Sequence, residues 1–235
     1  MKSAAFASSL AALAVLFAAN ARYAYPDSLA ELPDLTPRHV VDPRFAGTTF
    51  RFSGRATSVR ATRRGILFIK LHDPGEDLYL EVPVFPALGC LPAKPVRGEL
   101  VRATGNLGSY GGIPQVRPLS AAHVEVPEAG GAAAATGLRQ ALARTGATLD
   151  VGPVRAVAAE PFVSSRGLEH LGLTLADAAA SGRMPGTVQG VMFQGDRSDC
   201  EAALLRSGDP VAVTAEIAAF RGRPSLTVRR VLAWK

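Results

Sequence analysis

The chain has 235 residues, a formal net charge of +6, 48% apolar and 6% aromatic residues, and two cysteines, Cys90 and Cys200. The apolar fraction is enough for ordinary cores, and a basic balance favours anionic partners such as nucleic acid, acidic glycan or phospholipid head groups. Two cysteines are too few and too far apart in sequence to suggest a zinc site.

Met1-Lys2 supplies a positive charge ahead of an apolar run from Ala4 to Ala19, and Ala19-Asn20-Ala21 puts small residues where a signal peptidase reads. Residues 1–21 are therefore expected to be a signal peptide cleaved near Ala21, leaving a periplasmic or secreted protein. The run is shorter than the roughly 20 apolar residues of a spanning helix, and no later stretch is longer. An uncleaved N-terminal anchor is the alternative. No cysteine follows the run, so lipid anchoring is not expected. Residues 22–44 carry prolines without sustained periodicity and read as an extended arm.

The first strand is expected over Thr49–Val59, where Phe50 and Phe52 alternate with Arg51 and Arg55. Arg63-Arg64-Gly65 marks a turn, Ile66–His72 a second strand, and Asp73-Pro74-Gly75 a tight turn. Leu78–Phe85 is a third strand with Leu78, Leu80, Val82 and Val84 on one face, and Pro83 places it near an edge or bulge. After a proline-rich connection come a fourth strand, Glu99–Gly105, a Gly111-Gly112 turn, and a fifth strand, Ile113–Leu119. The run GGAAAAT at 130–136 reads as a linker, followed by a short helix over Leu138–Arg144. Strands are then expected over Pro153–Ala159, Leu168–Ala176 and Thr187–Phe193. Ser198 and Glu201 have the spacing of a capping box, and Gly208 stands where that helix would stop. Val211–Ala215 and Ser225–Leu232 complete the series.

A shift of 110 residues lays the second half over the first with no gap needed from Cys90 to Val116, and the second copy otherwise keeps the order with local insertions. Cys90 falls on Cys200, Gly98 on Gly208, Val101 on Val211, Thr104 on Thr214, and Leu107 on Ile217. Tyr110 meets Phe220, Gly112 meets Gly222, Pro114 meets Pro224, and Val116 meets Leu226. The YGGIPQV string at Tyr110 and the FRGRPSL string at Phe220 are thus one motif written twice. Two copies of this length mean two domains, not a solenoid. The expected boundaries are 45–127 and 148–235, joined by a Gly/Ala-rich linker and short helix over 128–147.

The order strand–strand–strand–connection–strand–strand, with the run from Gly98 to Val116, resembles the OB-fold. In particular it is similar to tRNA-anticodon-type OB domains and their exported bacterial relatives. The resemblance covers about 75 residues per copy. It implies an all-β protein of two five-stranded OB-like Greek-key barrels in tandem, with short helices in the connections. Ala215 at the position of Gly105, and Arg223 before Pro224, depart from the first copy. Another pair of small β-barrels or sandwiches is the alternative.

No catalytic pattern is present: the four histidines are scattered, and no nucleophile elbow, zincin or phosphate-loop motif occurs. His72 reads as a turn residue bonded locally. The expectation is a binding protein without cofactor or metal, not an enzyme; a hydrolase with a site the sequence does not reveal is the alternative. OB-folds bind oligonucleotides and oligosaccharides on the face of strands two and three, between the first and last hairpins. In the first copy Arg60, Arg63, Arg64 and Lys70 supply cations there, with Phe68, Tyr79 and Tyr110 as aromatics. In the second the candidates are Phe220, Arg221, Arg223, Arg229 and Arg230. Cationic side chains between aromatic platforms suit single-stranded nucleic acid. The expected partner is an anionic polymer, single-stranded nucleic acid or acidic glycan. The alternative is an envelope protein engaged by an interaction or stress-associated assembly module. The aligned cysteines in an oxidising compartment predict a Cys90–Cys200 disulfide, which would contribute about 4 to 5 kcal/mol by the chain-entropy argument. Two separately buried thiols are the alternative.

Overall fold

The computed structural model describes residues 31–127, 129, 135–179 and 186–234. The expected signal peptide and much of the arm and Gly/Ala linker lie outside the described residues. Among the described residues no helix is long and apolar enough to cross a membrane.

Inward alternation drives both sheets. The first comprises β1 (Thr49–Ala61), β2 (Leu67–Asp73), β3 (Leu78–Val84), β4 (Leu100–Tyr110), β5 (Ile113–Arg117) and the short β6 (Val124–Glu125). Hydrogen bonding runs β1-β2-β3-β5-β4, and β4 pairs back to β1, so these strands close a ring with β6 added on β4. The second comprises β7 (Thr148–Val163), β8 (Glu169–Asp177), β9 (Thr187–Met192), β10 (Val211–Phe220) and β11 (Arg223–Ala233), closed as β7-β8-β9-β11-β10. The strand order is the same in both, and the pairing of third with fifth strand is parallel in both. These are two OB-like Greek-key barrels in tandem.

The barrels have separate cores. In barrel one Phe50, Phe52, Ile69, Leu71, Val82 and Val101 are buried together. In barrel two Val151, Leu171, Leu173, Leu175, Val213 and Ile217 are. The shift found in the sequence holds at the level of hydrogen bonds. Tyr110 pairs with Ile113 as Phe220 pairs with Arg223, and Leu107 with Val116 as Ile217 with Leu226. Each first strand also has a register shift at the same place, between Ala56 and Ser58 and between Ala156 and Ala158.

Three expectations are corrected. From Asp34 onward the arm is not simply extended: Leu35 donates to the Arg51 carbonyl at 2.7 Å, and Pro37–Val41 forms α1. Pro37 starts that turn, and His39 Nδ1 accepts from the Thr36 N–H at 3.2 Å. The fourth strands continue past Gly105 and Ala215 to the hairpin tips, because Gly108 or Ala218 breaks apolar alternation yet still pairs through its backbone. β7 likewise begins at Thr148, not Pro153, and runs on to Val163.

The expected helices form as α2 (Leu138–Leu142) and α3 (Asp199–Ser207). Ser198 and Glu201 cap α3 reciprocally, and Gly208 ends it with φ +77°. The disulfide forms: Cys90 in barrel one's connection is bonded to Cys200 in α3, with the Cα atoms 5.9 Å apart. Beside it Lys94 Nζ lies 2.9 Å from Glu201 Oε2, both buried, and also donates to the Asp196 carbonyl. The Ala61 N–H donates to the Gly195 carbonyl at 2.8 Å. The strand-three-to-four connections of the two copies therefore fasten the barrels together.

Candidate functional site

On β2, Leu67, Ile69 and Leu71 enter the core, so Phe68, Lys70 and His72 take the opposite face. On β3 the same logic turns Tyr79 outward, where it is 58% exposed. Register places Arg60 against Phe68, Ser58 against Lys70, and His72 against Tyr79. The His72 and Tyr79 rings stack, with centroids 4.0 Å apart and planes at 13°. His72 Nε2 lies 3.3 Å from Asp77 Oδ1. The local bond expected of His72 is there, but its ring also completes an aromatic platform that its place beside a turn did not announce.

Glu81, Gln115 and Arg117 escaped the sequence reading. Gln115 Nε2 donates to Glu81 Oε2 at 3.0 Å, Arg117 Nε donates to Gln115 Oε1 at 3.2 Å, and an Arg117 terminal N–H donates to the Ser109 carbonyl at 2.9 Å. This chain bridges β3 and β5, whose ladder has its registered pair at Glu81 and Gln115. β3 is neither an edge strand nor bulged against β2, but Pro83, which has no N–H to give, stands two residues beyond the one registered β3–β5 pair. The available signal was parity: Glu81 alternates with Leu80 and Val82.

Arg60, Arg63 and Arg64 are exposed at the β1–β2 hairpin, next to Phe68 and Lys70. Tyr110 is 73% exposed at the β4–β5 tip. In barrel two Phe220 is 65% exposed, with the Arg221 guanidinium 5.3 Å from its ring centroid. Arg221 and Arg223 line a hollow of about 710 Å³ with Thr187 and Gln189. Arg60 and Arg63 line a different cleft of about 700 Å³, so the two basic clusters do not share one groove.

Arg230, expected at the ligand face, is buried instead, and Arg229 is half-buried and held by carboxylates. Arg230 is 1% exposed and binds both Glu99 carboxylate oxygens at 2.8 Å, Thr214 Oγ1 at 3.0 Å and, less closely, Asp150 at 3.5 Å. Arg229 is held by Asp196 at 2.8 Å and Glu216 at 3.0 Å. Burial pulls the Arg229 guanidinium down, but these acceptors outweigh it and leave it above the ordinary arginine value. The cause is β11, which continues past its hairpin end until Arg230 meets Glu99 of barrel one, with a register shift at Thr214/Ala215 that leaves Arg229 between ladder pairs.

No known protein family matches the chain, and no curated protein matches it. Among solved structures it is similar to asparaginyl-tRNA synthetase from Pyrococcus horikoshii complexed with asparaginyl-adenylate: 15% identity over 40% of this chain, TM-score 0.31. The chain spans 22% of the length of that enzyme. It is also similar to a murine DNA binding protein bound with ds DNA, at 11% identity over 79% of this chain and 97% of the other, TM-score 0.28. A third is the single-stranded DNA binding protein from Thermus aquaticus, at 16% identity over 78% of this chain and 90% of the other, TM-score 0.22. Likenesses this distant carry no argument, and the barrel assignment rests on the strand pairing itself.

Proposed function

We propose that the chain is an exported binding protein whose first barrel holds an anionic polymer, with single-stranded nucleic acid as the class its face suits best. The observation that carries this reading is the exposed Tyr79 ring stacked on the half-buried His72, on the same face as Lys70 and Phe68 and bordered by Arg60, Arg63 and Arg64. Every nucleobase has a flat face, so an aromatic platform binds without regard to sequence, while cations follow the phosphates. Export is supported by the leader-like first 21 residues and by a disulfide, which persists in oxidising compartments. The reading is of binding without catalysis.

The test is titration of the full chain, disulfide intact, against a single-stranded oligonucleotide at two salt concentrations. Four phosphate contacts, from Arg60, Arg63, Arg64 and Lys70, would weaken binding about fiftyfold between about 50 and 200 mM salt. Arg63→Ala with Arg64→Ala should lower both the affinity and that slope. Affinity absent at both salt concentrations would overturn the reading in favour of an envelope protein-interaction module.

A further inference from the structure

The cleft at the β1–β2 hairpin is built from the same turn twice. In barrel one Thr62 accepts from the Gly65 N–H at 3.0 Å and donates its own N–H to Ile66 at 2.9 Å. In barrel two Ser164 accepts from Gly167 at 2.9 Å and donates to Leu168 at 2.8 Å. Both glycines have positive φ, +74° and +71°. The two turns, TRRGI and SSRGL, line one cleft of about 700 Å³. That is the size of pocket that encloses a small ligand.

The lining is one-sided in charge. Arg60, Arg63 and Arg166 have no acidic partner among the described residues, whereas nearby Arg197, Arg229 and Arg230 are each paired. No carboxylate is among the described residues of this lobe. An adjoining lobe of about 260 Å³ carries Glu169 and Asp199, and Glu169 is tied to Arg197.

The opposite wall supplies rings and a donor. His170, buried between Phe162 and Phe193, accepts the Gln194 N–H on Nδ1 at 3.1 Å. The neutral ring therefore carries its proton on Nε2, a donor with no partner among the described residues. Phe193 is 40% exposed and lines the cleft. The Ala61–Gly195 hydrogen bond ties the two barrels at residues of the lining itself, so the walls are held in place before any ligand arrives.

We propose that this inter-barrel cleft is a second binding site, for a ligand of mononucleotide size that joins a phosphate-type anion to a flat ring. Arg60, Arg63 and Arg166 take the anion, the His170 Nε2–H donates to the ligand, and Phe193 seats the ring. Arg60 and Arg63 also belong to the polymer-binding face proposed above, so the site extends that reading; Arg166, His170 and Phe193 belong to the cleft alone.

The experiment is calorimetric titration of the full chain with adenosine 5′-monophosphate, adenosine and inorganic phosphate. The monophosphate should bind at least about tenfold more tightly than either part, and Arg166→Ala should weaken it about tenfold or more. Phe193→Ala should weaken the monophosphate but not inorganic phosphate, and Phe193→Leu repeats the test if Phe193→Ala fails to fold. Tyr79→Ala should leave monophosphate affinity unchanged. No monophosphate binding, equal binding of inorganic phosphate, or affinity indifferent to Arg166 would each overturn the site. Oligonucleotide binding that depends on Tyr79 without monophosphate binding removes the cleft and leaves the barrel-one face. Monophosphate binding that depends on Arg166 without oligonucleotide affinity does the reverse.

Discussion

Where barrel one sets Lys70 beside Glu81, barrel two sets Thr174 beside Gln189, each pair in register and each reaching the fifth strand through its second member. The same correspondence puts Gly172 at Phe68, Ala176 at His72, Thr187 at Tyr79, and Glu160 at Arg60. Inside the ring the two copies agree: apolar side chains stay at the inward positions. Outside it the aromatic and cationic face of barrel one is matched in barrel two by the small residues Gly172, Thr174, Ala176 and Thr187 and by a carboxylate, Glu160. A closed barrel is stabilised by its inner alternation, so the outer face can gain or lose a site without changing the ladder.

The copies also differ where they meet. The connection after the third strand is irregular and proline-rich in barrel one and helical in barrel two, and each supplies half of the disulfide and half of the Lys94–Glu201 pair. Replacing Cys90 and Cys200 together with serine should therefore have the largest effect on stability, about 4 kcal/mol, because the bond closes a loop with 110 residues of separation. Denaturant unfolding measures it. A loss smaller than about 1 kcal/mol would mean the ion pairs alone hold the barrels and the connections are interchangeable.

Arg230→Ala comes next. It leaves Glu99 and Asp150 facing a cavity without their cation, and about 3 kcal/mol should be lost in the same assay. An effect near zero would place Arg230 among the surface arginines after all.

Gly105 and Ala215 give a smaller and sharper contrast. A Cβ on Gly105 would lie 2.3 Å from the Arg117 carbonyl oxygen, because the chain leaves β5 at Arg117-Pro118 and crosses directly over it. In barrel two β11 continues along β10, with Val228 opposite Ala215 beside the register shift, and a side chain fits. Gly105→Ala should cost about 2 kcal/mol, and Ala215→Gly about 1 kcal/mol or less. Equal costs would mean that the two fourth strands are packed alike.

The smallest expected effect concerns the faces. Tyr79→Ala should weaken oligonucleotide binding about tenfold, near the lower end of one lost stacking contact, while Thr187→Ala should leave it unchanged. Fluorescence anisotropy reads both, and matching losses would show that barrel two still binds.

Much of this comparison was legible beforehand. Phe50, Phe52, Leu80 and Val82 declared their inward face by alternation, and the Tyr110 and Phe220 hairpins declared each other by the fixed shift. Strand ends were less legible, since Gly108, Ser109 and Ala219 pair through backbone atoms that no side-chain pattern records. The candidate face was half legible: Phe68, Lys70 and Tyr79 follow from parity, but the stacking of His72 on Tyr79 depends on how the β2–β3 turn sets the register.

Alone, the amino-acid sequence determined most of the strands, their repetition and the aligned cysteines, because period-two alternation and a shared offset from Cys90 to Val116 are properties of the chain itself. Closure of each ring was implied only by the OB-fold resemblance and is made by the pairing of first with fourth strand. Only the tertiary structure decided which arginines are free. Arg230 and Arg64 each stand in an arginine doublet, yet one is buried against Glu99, 131 residues away in sequence, and the other is exposed at a hairpin. Charge pairing depends on separation in space, and that separation exists only after the two barrels have docked.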